Sequence, residues 1–233
     1  MKLIISSEIF KKFPKLHVGI VIAKDINNSG SDEKIYHLLK EIEDFIKLNF
    51  VPEQLAKHPM ISPWRTAYSE FGAKPSKYHS SVEALMRRIL KGQEIPKVNK
   101  LVDAYNYLSL KHLIPMGADD LDKVQGDIKF TIAKGDEIFY PLNSDGVDHP
   151  DKGEVIYRDE KQVLCRRWNW RDSDKTKIDD KTKNAVVYIE GIPPVTKEKL
   201  EEVCKETVEV IKMFCNGEIA YHILDMGNSE VSF

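Results

Sequence analysis

The chain has 233 residues, of which 42% are hydrophobic and 31% charged, enough to bury a core and to keep its surface in water. No run approaches the roughly 18 apolar residues of a membrane-spanning helix, so no membrane partner is expected. The net charge of −2 hides an asymmetry: Lys57 to Lys111 carries ten basic and four acidic residues, a local +6 that leaves about −8 elsewhere. A basic stretch in an acidic protein marks either an anionic partner or a solvated helical face.

The elements follow in chain order. The opening MKLIIS reads as a first strand, because Glu8 and three lysines follow its short apolar run and no small-residue cleavage site is present. HVGIVIAKDI (17–26) is β-branched and reads as a buried strand. Over 34–50, Ile35, Leu38, Leu39, Ile42, Phe45 and Ile46 share one helical face. KYHSSVEALMRRILKG predicts a second helix, with Ser80 and Glu83 at capping-box spacing and Gly92 closing its end. Asn99 caps a third helix carrying Leu101, Val102, Tyr105 and Leu108. IPMGADDLDKVQGD (114–127) reads as a polar loop. Strands are expected at 128–133, 154–159, 163–170 and 184–192, with Pro193 and Pro194 stopping the last. A long amphipathic helix from Thr196 to about Phe214 ends at Asn216 and Gly217, and EIAYHILD closes the chain as a strand. Helices early and strands late predict an α+β fold with largely antiparallel strands, carried by a single domain over 1–233.

Several chemistries lack their signatures. There is no GxGxxG, no GxxxxGK[ST] and no GxSxG, so neither ATP use nor classical nucleophilic hydrolysis is indicated. Cys165, Cys204 and Cys215 are odd in number without metal spacing, and the seven histidines lie far apart, so no metal or other cofactor is expected. Reduced thiols point to a cytoplasmic location. Any catalysis would rest on bound water and positioned polar groups.

Three segments carry a resemblance: 64–110 (WRTAYSEFGAKPSKYHSS…VDAYNYLSL), 114–139 (IPMGADDLDKVQGDIKF…) and 154–191 (EVIYRDEKQVLCRRWNWRDS…AVVYIEG). In this order they resemble the B3/B4 domain of the phenylalanyl-tRNA synthetase β subunit, and more closely the stand-alone B3/4-domain proteins. That resemblance implies a B3/B4-like fold and hydrolysis of a wrongly charged aminoacyl-tRNA ester in trans, or a remnant that only binds tRNA or an amino acid. VDAYNYLSL resembles the stretch whose asparagine lines the editing pocket, here Asn106. PMGADDLDK resembles PMHAFDLDK, with Gly117 in the place of the histidine. AVVYIEG resembles the stretch ending in the pocket glutamate, here Glu190. LCRRWNWRDS occupies the place of a glycine-rich pocket strand, so a pocket here has a different shape and tyrosine selectivity is in doubt.

Each candidate has an ordinary structural reading beside the functional one. Glu190 is either a strand-end carboxylate paired with an arginine such as Arg166 or Arg171, or a catalytic group that holds the amino acid or orients water. Asn106, with Ser109 one turn away, is either a structural amide or a substrate-binding group. Met116 and Gly117 are expected to allow close approach to a ligand, while the adjacent Asp119 and Asp120 read as turn residues. If 163–170 is one strand, Trp168 and Trp170 share a face with Arg166 and wall the pocket, while Arg167, Asn169 and Arg171 point the other way. Arg65, Lys74, Lys77, Arg87 and Arg88, interleaved with Trp64, Tyr68, Phe71 and Tyr78, suit contact with tRNA by stacking and phosphate pairing, or a solvated helical face. Recognition of a free amino-acid-like ligand by a sensor is a third reading.

Overall fold

The computed structural model describes residues 1–233. In chain order the elements are β1 (Lys2–Ile5), α1 (Ser7–Lys12), β2 (His17–Lys24), α2 (Glu33–Asn49), α3 (Ser62–Glu70), α4 (Ser81–Leu90), α5 (Lys100–His112), β3 (Met116–Asp120), β4 (Ile128–Ile132), β5 (Val155–Arg158), β6 (Val163–Arg166), β7 (Arg171–Asp172), β8 (Ala185–Gly191), α6 (Lys197–Cys215), β9 (Glu218–Leu224) and β10 (Glu230–Ser232). They form two sheets: a six-stranded one ordered β10-β1-β4-β5-β6-β7 and a four-stranded one ordered β3-β8-β2-β9. Every pairing between named strands is antiparallel except β1 with β4, which makes this the expected α+β fold. No helix is long and apolar enough to cross a membrane.

The four-stranded sheet is the middle layer. Its side chains alternate between two cores, as a strand buried on both faces requires. On β8, Ala185, Val187 and Ile189 pack toward α2, α4, α5 and α6, while Val186 and Tyr188 pack toward the six-stranded sheet. On β2, Val21 and Ala23 join the helical side, and Val18, Ile20 and Ile22 the inter-sheet side. The same alternation carries Glu190 to the inter-sheet side, where it is 2% exposed.

Local signals at helix ends were partly realised. Asn99 accepts from Val102 N–H at 3.1 Å and Thr196 from Lys199 N–H at 3.2 Å, satisfying donors that a helix start leaves free. Gly92, at φ +78°, closes α4, and Asn216 and Gly217 end α6 at φ 54° and 89°. The capping box at Ser80 does not form. Its hydroxyl makes no cap bond, and the Glu83 side chain turns away from the Ser80 N–H to accept from Arg65 at 2.7 Å and Arg87 at 2.8 Å. Phe45, expected on the buried face of α2, is exposed, and Glu43 takes a buried position by accepting from Ile95 N–H at 2.8 Å.

Two stretches depart from their expected form. The segment expected as a polar loop contains β3, an edge strand whose Gly117 and Asp119 pair with Tyr188 and Val186. It carries no β-branched residue, so no propensity announced it. The single strand expected over 163–170 is two short strands joined by a turn. Arg167 and Trp168 adopt left-handed backbone at φ 45° and 67°, a region that non-glycine residues rarely occupy. Four hydrogen bonds impose it: Arg167 N–H to Glu154 Oε1 (2.9 Å), Trp168 N–H to Val155 O (2.6 Å), Asn169 N–H to Arg167 O (2.9 Å) and Trp170 N–H to Arg166 O (3.2 Å).

Candidate functional site

The turn at 167–170 builds the site. Because the chain reverses there, strand alternation no longer applies, and Trp168, Asn169 and Trp170 all line one inter-sheet cavity of about 60 Å³. Met116 and Gly117 of β3, Tyr188 and Glu190 of β8, Tyr157 of β5, Cys165 of β6, Asp172 of β7 and Ser81 at the start of α4 complete it. Both sheets therefore contribute at the edge where β3 and β7 approach.

Glu190 sits at the inner wall. Tyr157 donates its hydroxyl to Oε1 at 2.7 Å and Asn169 its amide to Oε2 at 2.6 Å. Asn169 is itself fixed by the Tyr68 hydroxyl, which donates to its Oδ1 at 2.9 Å. Burial pushes the Glu190 carboxyl up to about 7, with Asp172 adding to the rise and Asn169, Tyr157 and the Trp168 indole pulling against it. The Trp168 indole N–H faces this carboxylate, falls short of an ordinary hydrogen bond to it, and has no other partner. Burial likewise raises the Asp172 carboxyl, opposed by the Cys165 thiol. Behind Tyr188, Asp119 accepts from Thr176 at 2.6 Å and from the Tyr188 hydroxyl at 2.9 Å, and burial pushes it up to about 7.

No arginine faces Glu190. Arg166, 3% exposed, turns away from the cavity and is held by Glu154 at 2.8 Å and by Asp148. Arg167 pairs with Asp151 at 3.0 Å and stacks its guanidinium on Tyr78, 3.8 Å from the ring centroid, and on Trp170 at 4.7 Å. Arg171 is exposed, donates to Leu142 O and lies 5.9 Å from the Trp170 centroid.

The two tryptophans have different roles. Trp168 is fully buried among Phe13 (centroids 4.7 Å apart), Trp64 (5.0 Å) and Phe130 (5.4 Å), so it is the floor of the cavity and part of the inter-sheet core. Trp170 is half-buried at the mouth, edge-on to Tyr78 at 4.8 Å. The mouth is thus aromatic, with Lys77 5.1 Å over Tyr78.

Gly117 matters for what it lacks. A Cβ there would meet only Asp172 Oδ1, at 4.0 Å, so its missing side chain is open cavity. Asp172 also lines a second cavity of about 360 Å³ with Asn99, Tyr105, Ala118 and Lys177.

Several sequence candidates lie elsewhere. Ser109 is buried on α5 and donates to Ile114 O at 2.7 Å, closing its own helix end. Asn106, half-buried on the same helix, is not among the residues lining the cavity. Asp119 and Asp120 are strand residues rather than turn residues, Asp120 accepting from Thr182 at 2.7 Å. Arg65 and Arg87 are pinned on Glu83, and Arg88 donates to Glu94 O at 2.6 Å. Lys74 and Lys77 remain exposed and outside any ion pair. Asn169, Tyr157, Tyr188 and Asp172 were not singled out from the sequence. Strand alternation puts Asn169 on the opposite face, and Asp172 sits in a stretch whose composition reads as turn.

The B3/4 domain family model matches residues 63–216, more than half of the chain. The chain belongs to the B3/4 domain family. The match spans every residue that lines the cavity. The B3/4 chain is also 32% identical, over 122 residues, to the phenylalanine–tRNA ligase beta subunit of Fusobacterium nucleatum subsp. nucleatum, covering 52% of this chain and 15% of that protein. It spans, then, a small part of the length of that relative. Among solved structures, an N-terminal fragment of the phenylalanyl-tRNA synthetase beta subunit from Pyrococcus horikoshii aligns over 93% of this chain and 49% of that one, with a TM-score of 0.46 and 12% identity.

Proposed function

We propose that this chain takes the aminoacyl 3′ end of a tRNA into the inter-sheet cavity and hydrolyses the ester. The observation that carries this reading is Glu190: a buried carboxyl lining a cavity, facing no cation, with a pKa near the pH of the cytoplasm. A group poised near 7 takes a proton from an attacking water and returns it to a leaving hydroxyl with comparable ease. Asn169 and Tyr157 hold it in one orientation, as a positioned base requires. The kinship with a phenylalanine–tRNA ligase beta subunit supports tRNA as the source of the ester. The cavity, at about 60 Å³, lies far below the roughly 300 Å³ at which ligand pockets begin, so a small aminoacyl head is the natural fit.

A second reading, binding without hydrolysis, is favoured by one observation. Both Glu190 oxygens already accept from Tyr157 and Asn169, and Asp172 is the only other carboxyl lining the cavity. The two readings separate on a panel of correctly and wrongly charged tRNAs. Deacylation of a subset, reduced at least about 100-fold in Glu190→Gln, is the expected result, since acid–base groups supply 10²- to 10⁴-fold. Saturable tRNA binding with no deacylation of any species would establish the second reading.

A further inference from the structure

We propose that the cavity selects by charge: it accepts the amino group of an aminoacyl ester or amide and rejects the same amino acid with a free carboxylate. The inference rests on the reading that an aminoacyl group is the ligand, and it names which form of that group binds.

Eleven residues line the cavity; among them are two carboxyls, Glu190 and Asp172, and no lysine, arginine or histidine. Asp119 stands one layer back, joined to the wall through the Tyr188 hydroxyl. Arg166 is held by Glu154 and Asp148, Arg167 by Asp151 and its two aromatic neighbours, and the exposed Arg171 by Leu142 O, so none of the three lines the cavity. A carboxylate brought here would be desolvated beside two acidic groups, with no cation lining the cavity. An ammonium meets the opposite situation, since each carboxyl gains a partner that the protein withholds.

A second feature of the same wall points the same way. The Trp168 indole N–H is fully buried, has no partner, and faces the Glu190 side of the cavity. A donor left unsatisfied costs free energy, and an ester or amide carbonyl is the uncharged acceptor that would satisfy it. The mouth has the reverse polarity: Lys77 and Arg171 lie beside Tyr78 and Trp170, and neither forms an ion pair. Amine inward, carbonyl toward Trp168, and the esterified, anionic remainder at the mouth is the one orientation that satisfies all three zones.

The test uses the whole protein and small ligands that it cannot turn over. Amides of glycine, alanine, serine, phenylalanine and tyrosine are titrated calorimetrically beside the matching free amino acids and the N-acetylated amides. At least one amide is expected to bind at least tenfold more tightly than its free acid, and to lose that affinity on N-acetylation. Asp172→Asn and Glu190→Gln, each removing one acidic group, are expected to shrink the preference severalfold. Equal or tighter binding of free acids, equal binding of N-acetylated amides, or no binding of any ligand would each overturn the proposal. If the amide preference holds while no charged tRNA is deacylated, the hydrolytic reading falls and charge selection stands.

Discussion

Glu154 and Glu190 are both 2% exposed, and Arg166 and Arg167, which meet the first, stand two to three residues from Asn169, which meets the second, yet the two acids are accommodated in opposite ways. Glu154 receives the Arg166 guanidinium at 2.8 Å, the Arg167 backbone N–H at 2.9 Å and the Arg167 side chain at 3.6 Å. Glu190 receives only neutral donors and keeps a carboxyl raised to about 7. The first cluster is closed: charge is matched, and its bonds hold the left-handed turn in shape. The second is open: charge is unmatched and a cavity lies against it. A buried acid with its cation is architecture, and one without a cation in front of an empty space is where a ligand belongs.

Removing a partner on the closed side breaks this contrast most severely. Arg166→Ala leaves Glu154 buried with part of its counter-charge gone and frees the carboxylate whose Oε1 anchors the Arg167 N–H of the turn. A loss of about 3 kcal/mol is expected, the lower end of what breaking a buried ion pair costs, read from urea denaturation midpoints at constant m. If the turn then relaxes, Trp168 loses its place in the floor, and any ligand binding falls with the stability.

On the open side, the same experiment run against pH has the opposite sign from ordinary acid unfolding. Glu190 has a folded-state value of about 7 against an ordinary carboxyl value of 4.5, so the folded protein holds its proton more tightly. The stability this confers is complete below pH 4.5 and is lost as pH rises toward 7. Over that window the shift corresponds to about 3 kcal/mol, at roughly 1.4 kcal/mol per unit. Glu190→Gln cannot ionise, and the Tyr157 hydroxyl can accept from its new amide. The variant should therefore match the wild type near pH 4 and exceed it in stability by up to about 3 kcal/mol at pH 8. Equal pH slopes in the two proteins would show that Glu190 is not the raised group; Asp119, shifted the same way, keeps its slope in both.

How far the sequence reveals this contrast depends on which residues carry it. The strands with β-branched runs, β2 and β8, announce themselves, and period-two alternation along VVYIEG is enough to send Glu190 between the sheets once β8 is known to be buried on both faces. Helix caps at Asn99 and Thr196 are equally legible, because a short polar side chain before an apolar stripe has one local use. The turn at Arg167 and Trp168 is not legible. Neither glycine nor asparagine marks its left-handed backbone, which is imposed from outside by Glu154 and Val155. Reading LCRRWNW as a continuous strand therefore puts Asn169 on the wrong face, and Arg166, one of the two arginines open as a partner for Glu190, belongs to Glu154. Tyr157 and Asp172 join the site through pairing of β5, β6 and β7, and no local pattern reports on long-range register.

The smallest expected effect is the most selective. Gly117 on edge strand β3 has no positive φ, and a Cβ added to it meets nothing nearer than Asp172 Oδ1 at 4.0 Å. Gly117→Ala is therefore free of strain and lowers the entropy of the unfolded chain, so stability should stay level or rise by up to about 1 kcal/mol. The methyl group takes up space directly in front of Asp172, on the open side alone. Amide affinity in the titrations above should fall severalfold, while the Arg166–Glu154 cluster stays as it was and the melting temperature does not fall. A variant that loses ligand without losing stability would separate the two sides cleanly, because Arg166→Ala must lose both together. If Gly117→Ala binds amides as the wild type does, the space at Gly117 is not ligand space, and Glu190 rather than Asp172 alone sets the recognition of the amine.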